Sequence, residues 1–197
     1  MKKILLLFIL IITGINYNQI TFAQNKEDNR HLVFIQGNYL RNLGTFGQVW
    51  SQAAGAYLGY GIYYPEHYLL MFRTGFMSHS LRSDVQTDGS LNVIPLHIGG
   101  RYNFSSSVFI PYFQFMNGFN LVFENVSLTG VQGNRTLLRY FWQVGTGGTI
   151  RISENLVIDL GVNYNSAFYD NDKELYHEAG AMMNGFEYSA GIGWLLK

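Results

Sequence analysis

Cysteine is absent from this 197-residue chain. Its absence excludes disulfide staples, thiolate metal sites and a lipid-modified N-terminal cysteine. Charge is scarce too: Asp, Glu, Lys and Arg together supply 13% of the residues, about half the share of an ordinary soluble domain. Basic and acidic residues number 13 each, so no net field recommends nucleic acid as a partner. The longest apolar run, Ile4 to Ile12, falls far short of the roughly 20 residues that a membrane-spanning helix needs. No linker, second domain or low-complexity tract interrupts the chain.

What is abundant narrows the class further. Aromatic residues make up 16% of the chain and glycines number 22. The N-terminus, MKKILLLFILIITGINYNQITFAQ, has a basic start at Lys2 and Lys3, an apolar segment and a small-residue ending at Ala23. It reads as a secretory signal peptide over residues 1–23, cleaved before Gln24. Residues 24–197 then form one domain of ordinary size. An exported chain that is poor in charge and lacks a spanning helix has one membrane solution. That solution is a closed β-barrel, because lipid leaves every backbone polar group to be satisfied internally.

Apolar residues alternate along the chain. The closing GFEYSAGIGWLLK puts Phe186, Tyr188, Ala190, Ile192, Trp194 and Leu196 on one face, and Glu187, Ser189, Gly191 and Gly193 on the other. That is the period of a strand with two unlike faces. The same alternation predicts eight strands, near His31–Arg41, Ser51–Tyr64, His67–Ser80, Leu91–Phe104, Phe109–Phe123, Leu137–Ile152, Leu156–Phe168 and Phe186–Leu196. Three connections are tight: Tyr64 to His67, Ser105 to Ser107, and Ser153 to Asn155. The others, NLGTFGQVW, LRSDVQTDGS, ENVSLTGVQGNRT and DNDKELYHEAGAMMNG, read as longer polar loops. Short turns on one side, long loops on the other and an even strand count are the pattern of bacterial outer-membrane barrels. The expected fold class is all-β, an eight-stranded antiparallel up-and-down transmembrane β-barrel with both termini in the periplasm.

Parity also separates the two faces. One carries Leu58, Tyr60, Phe72, Ile98, Phe115, Trp142 and Leu160; the other carries Arg73, His97, Arg101, Asn120, Arg139, Gln143, Arg151, Asp159 and Asn163 among glycines. A soluble barrel would bury the first face and expose the second. Water-facing strands, however, normally carry Lys and Glu, and the expected strands contain no lysine. Small residues and isolated charges suit a narrow lumen that side chains fill. Reversing the faces in a bilayer would point Arg73, Arg101, Arg139 and Arg151 at lipid, at roughly 2–4 kcal/mol each near the midplane. The polar face is therefore assigned to the lumen. Tyr63, Tyr64, Tyr68, Tyr102, Phe104 and Phe109 beside the short turns, with Tyr140, Trp142, Phe168, Tyr169 and Phe186 toward the loops, read as two interfacial girdles.

Three stretches carry a resemblance: IPLHIGGRYNF (Ile94 to Phe104), PYFQFMNGFNL (Pro111 to Leu121) and YSAGIGWLL (Tyr188 to Leu196). On them the chain resembles the outer-membrane β-barrel domain family, the small porin-family barrels that include OmpX and the OmpA transmembrane domain. The resemblance implies an eight-stranded barrel over nearly the whole mature chain, in the outer membrane of a Gram-negative bacterium. It further implies insertion by the barrel-assembly machinery and contact with outer-membrane lipid and lipopolysaccharide. A structural or surface-interaction role through extracellular loops follows, with adhesion or envelope integrity as the usual forms. The protein is expected to be a monomer. Two departures stand out. The chain ends in Leu195, Leu196 and Lys197 in place of the terminal aromatic that the assembly machinery commonly recognises, with Trp194 close by. Pro95 falls inside an expected strand, which predicts a local bulge.

The candidate site is a network of lumen charges: Arg73, His97, Arg101, Glu124, Arg139, Arg151, Asp159 and Glu187. A loop centred near Val85 sets Arg73 opposite His97. A loop near Gly130 brings Glu124 close to Arg139, and a turn near Glu154 places Asp159 diagonal to Arg151. Buried arginine must be paired, so the network reads first as a structural plug. The alternative is a gated path, a narrow channel for ions or small solutes through a breakable Arg–carboxylate pair. A general diffusion pore needs about twice the strands. The loop YDNDKELYHE gathers Asp170, Asp172, Glu174, His177 and Glu178, but lacks the central Gly and distal Glu of an EF-hand and reads as a solvated charged loop. A lipid-modifying enzyme needs a serine activated by histidine. SHS at Ser78 to Ser80 is the only hint of one, and parity turns His79 inward and both serines outward. No catalytic residue, metal site or cofactor is assigned.

Overall fold

The computed structural model describes residues 30–64, 67–82, 88–105, 107–128, 131–168 and 182–196. The signal segment, Tyr169 and the acidic cluster from Asp170 to Glu178 lie outside them. The strands are β1 (His31–Leu43), β2 (Ala53–Tyr64), β3 (Tyr68–Ser80), β4 (Asp88–Asn103), β5 (Phe109–Leu128), β6 (Val131–Arg151), β7 (Leu156–Phe168) and β8 (Met182–Leu196). A short helix, α1 (Gly44–Val49), follows β1. Each strand pairs antiparallel with the next, and β8 closes onto β1. The fold is the expected eight-stranded up-and-down barrel.

Shear sets its width. From His31, paired residues run through Ile62, Leu70, Gly100, Phe115, Val144, Tyr164 and Phe186 to Arg41. The circuit returns ten residues above its start on β1. With strands ~4.8 Å apart and a rise of ~3.3 Å per residue, this shear tilts the strands by about 40° and leaves a lumen that side chains can fill.

The two faces are inverted relative to a soluble barrel. Leu58, Phe72, Ile98, Phe115, Leu160 and Ile192 are exposed on the outside, whereas Arg73, His97, Arg101, Arg139, Gln143 and Asp159 are buried within. In water that exterior would be an apolar patch far beyond what a monomer exposes; in a bilayer it is the lipid belt. Tyr64, Tyr68, Tyr102, Phe104 and Phe109 ring the turn end, and Tyr140, Phe168 and Phe186 stand toward the loop end. Tyr63 does not join the girdle. It shares the inward parity of Tyr57 and packs against the apolar cluster inside the turn end.

Three local expectations change. Pro95 makes no bulge: the β3–β4 register is the same on either side, Thr74 with Leu96 and Met77 with Val93. On the other side Pro95 stays paired with Asn120. The missing N–H interrupts one ladder without inserting a residue. The segment NLGTFGQVW is not wholly loop, since α1 folds over the loop-end mouth with Phe46, Val49 and Trp50 buried. Their i, i+3, i+4 spacing is the one helical signal there. The segment ENVSLTGVQGNRT is largely strand, with β5 and β6 paired from Phe109–Ile150 up to Leu128–Val131. Its Asn, Gly and Gln content hides the alternation, yet extending an existing ladder adds hydrogen bonds at little further loop-closure cost.

That hairpin leaves the wall behind. β4 accompanies β5 as far as Asp88 with Ser127, but the last β6–β7 pair is Phe141 with Ala167. At about 2.5 Å of axial rise per tilted residue, the hairpin stands roughly 15–20 Å above the rim.

Candidate functional site

Two carboxylates organise the lumen, one at each of two heights. Glu187 on β8 is fully buried. It accepts hydrogen bonds from Gln143 Nε2 at 2.8 Å, Tyr57 Oη at 2.8 Å, Asn165 Nδ2 at 3.1 Å and Asn163 Nδ2 at 3.3 Å. Arg73 Nη1 forms an ion pair with it at 3.5 Å. Asp159 on β7 accepts from Arg101 Nη1 at 2.6 Å, Thr149 Oγ1 at 2.8 Å, Gln36 Nε2 at 2.9 Å and Tyr112 Oη at 3.0 Å. Gln114 joins the hubs, accepting from Arg101 Nη2 at 3.1 Å and donating to Asn163 Oδ1 at 2.7 Å.

The arginines are held from above as well. Arg73 lies 4.3 Å from the centroid of the Tyr57 ring, and Arg101 3.6 Å from that of Tyr112, within cation–π range. Two guanidiniums balance two carboxylates. An ion pair in a low-dielectric interior is costly unless its remaining lone pairs and protons are satisfied. Amides and hydroxyls satisfy both carboxylates, while Arg101 Nε is buried without a partner among the described residues.

Arg73 and His97 stand opposite each other on the β3–β4 ladder, and Arg73 Nε donates to His97 Nδ1 at 3.3 Å. A guanidinium can only donate, so Nδ1 accepts and the proton sits on Nε2, which donates to Asn120 Oδ1 at 2.8 Å. The imidazole also stacks on Phe141, centroids 3.8 Å apart and planes 2° from parallel. Gly118 lies between these two residues in register, so no side chain separates the rings.

Two further placements were expected, Asp159 diagonal to Arg151 and Glu124 close to Arg139. Asp159 is diagonal to Arg151, with Thr149 opposite Asp159 and Val157 opposite Arg151, but its ion partner is Arg101 on β4. Arg151 lies at the turn-end mouth beside Arg30 and Glu154. Glu124 and Arg139 are both buried on adjoining strands, with Glu124 opposite Arg135 and Arg139 opposite Asn120. The two ion pairs of the hubs cross the lumen, β3 to β8 and β4 to β7. Hairpin arithmetic compares neighbouring strands only; the shear is what brings these distant ones to a common height. Tyr57 and Tyr112 belong to the site although neither is charged. Their signal is parity, since Tyr112 alternates with Gln114 and Tyr57 with Gly59.

Apolar clusters close both ends. Leu32, Phe34, Leu69, Met71, Val157 and Leu195 pack at the turn end, and Phe46, Val49 and Trp50 join Leu91, Val93, Val122 and Phe141 at the loop end. Beneath that ceiling, His79, His97, Asn120 and Asn165 line a cavity of about 20 Å³, room for about one water. His79 is buried and hydrogen-bonded to Asn42 at 3.0 Å, while Ser78 and Ser80 are exposed on the outer face.

The fold has known counterparts. Neisserial surface protein A is 18% identical with a TM-score of 0.58, over 83% of this chain and 96% of that one. Ail, the attachment invasion locus protein of Yersinia pestis, solved with the heparin analogue sucrose octasulfate, is 12% identical with a TM-score of 0.56, over 86% of this chain and all of that one. A major outer membrane protein of Thermus thermophilus is 11% identical with a TM-score of 0.56, over 86% of this chain and all of that one. No protein-family model and no curated protein matches the chain. The fold and the outward apolar belt are those of a small outer-membrane β-barrel protein.

Proposed function

We propose that the protein is a filled barrel with a structural or surface-interaction role, presenting its loop-end hairpin outside the cell. The observation that carries this reading is the β5–β6 projection. Among the described residues, β6 has no β7 partner from Val131 to Tyr140. Such an edge can accept a strand from a partner, and Asn134, Arg135 and Thr136 expose their side chains beside it. The similar folds of a surface protein and of an attachment and invasion protein support a role of this class.

The lumen argues against the channel alternative. Conduction would require opening both carboxylate hubs and displacing both apolar clusters, so the pure protein should leave a planar bilayer silent. The hairpin is tested separately. Replacing residues 125–134 by a two-residue turn shortens the projection and leaves the hubs intact. Cells displaying the shortened protein should adhere to matrix- or heparin-coated plates about tenfold less, while the barrel keeps its heat-modifiable gel mobility. Undiminished adherence would remove the surface-interaction reading.

A further inference from the structure

The lipid face carries an amide where its neighbours are apolar. Asn117 on β5 points outward, opposite Ile98 on β4 and Trp142 on β6, with Phe115 and Phe119 as its outward neighbours along the strand. It lies eight residues along β5 from Phe109, roughly 20 Å above the turn-end rim and between the two girdles. Among the described residues, neither its carboxamide nor the indole N–H of Trp142 has a hydrogen-bond partner. Hydrocarbon offers none, so an unmatched amide at this depth is costly.

A second feature lies on the same two strands. Above Asn117 the outer face continues with Leu121 opposite Leu138, and then Phe123. Leu138 is 61% exposed and Phe123 37%, at the base of the projection where β7 has already ended. One strip therefore runs from an unsatisfied amide within the bilayer to bare apolar side chains at and above its surface.

We propose that a second copy of this chain covers the strip, forming a dimer whose twofold axis runs along the membrane normal. A twofold contact is isologous, so Asn117 near the axis meets Asn117 of the other copy. A carboxamide both donates and accepts, and two related by a twofold satisfy each other reciprocally. The same axis sets the two hairpins side by side and buries Leu138. A lipid chain can cover the apolar part but not the amide. This departs from the monomer expected from the sequence, where alternation treats every outward position as lipid-facing. It does not rest on the hairpin's proposed role toward other partners.

The test exploits the absence of cysteine. Glu154→Cys on the exposed β6–β7 turn gives one dye per chain, and photobleaching steps are counted in phosphatidylcholine–phosphatidylglycerol vesicles at high lipid excess. Two-step bleaching is expected for the otherwise native chain. Asn117→Leu should bleach in one step, with the dimer dissociation constant raised about tenfold or more. This variant places an apolar side chain in lipid and should fold at least as well, which its heat-modifiable mobility reports. One-step bleaching of the Asn117 chain, or equal two-step populations with and without the amide, overturns the proposal.

Discussion

Glu187→Ala should lower the barrel's unfolding free energy by about 3–5 kcal/mol, read as a shift in the urea midpoint of the folded protein in detergent. The carboxylate is fully buried and is the common acceptor for Arg73, Gln143, Asn163, Asn165 and Tyr57. Removing it strands a guanidinium that is only 3% exposed and leaves four neutral donors without their acceptor. Breaking a buried pair is far worse than replacing it whole. Arg73→Met combined with Glu187→Leu should therefore cost less than the two single changes together, with a coupling of about 2 kcal/mol. Strictly additive losses would show that the ion pair does not organise this hub.

Gly118→Ala should be comparably damaging, for a reason that lies in the backbone. Gly118 has φ +149°, and a Cβ there would meet the Leu96 carbonyl oxygen at 2.1 Å and His97 Cα at 3.0 Å. Both are main-chain atoms of the paired strand and cannot swing aside. A strained dihedral costs about 1–3 kcal/mol, and the displaced strand would also part His97 from Phe141, so a total of about 3 kcal/mol or more is expected. Gly37→Ala is the control, since its nearest atom would be 3.9 Å away, and its effect should stay within about 0.5 kcal/mol. Equal stabilities of the two variants would refute the geometry described around Gly118.

The wall was legible because a lipid belt forces a strict period of two. Every strand that crosses the bilayer has to repeat it, and the turns are marked by Ser, Asn and Pro at one end. Lumen membership was legible on the same ground: Arg73, Arg101, Asp159 and Glu187 share the parity of the glycines. Pairing was not. Arg101 meets Asp159, and Arg73 meets Glu187, through the shear of the closed barrel, a property of all eight strands together that no single hairpin contains. The hairpin extension was hidden because residues beyond the bilayer need no apolar face, so β5 and β6 lose their alternation while keeping their ladder. Asn117 was hidden by its own regularity. It takes an outward place in an apolar series, and only the absence of a hydrogen-bond partner distinguishes it.

The inverted arrangement can be measured directly through the three tryptophans. Trp194 is 52% exposed on the belt and Trp50 is wholly buried in the loop-end ceiling of the lumen. In vesicles made with brominated acyl chains, a chain retaining only Trp194 should have its fluorescence strongly quenched, and a chain retaining only Trp50 should not. Strong quenching of Trp50 with Trp194 untouched would mean that the faces are the other way round.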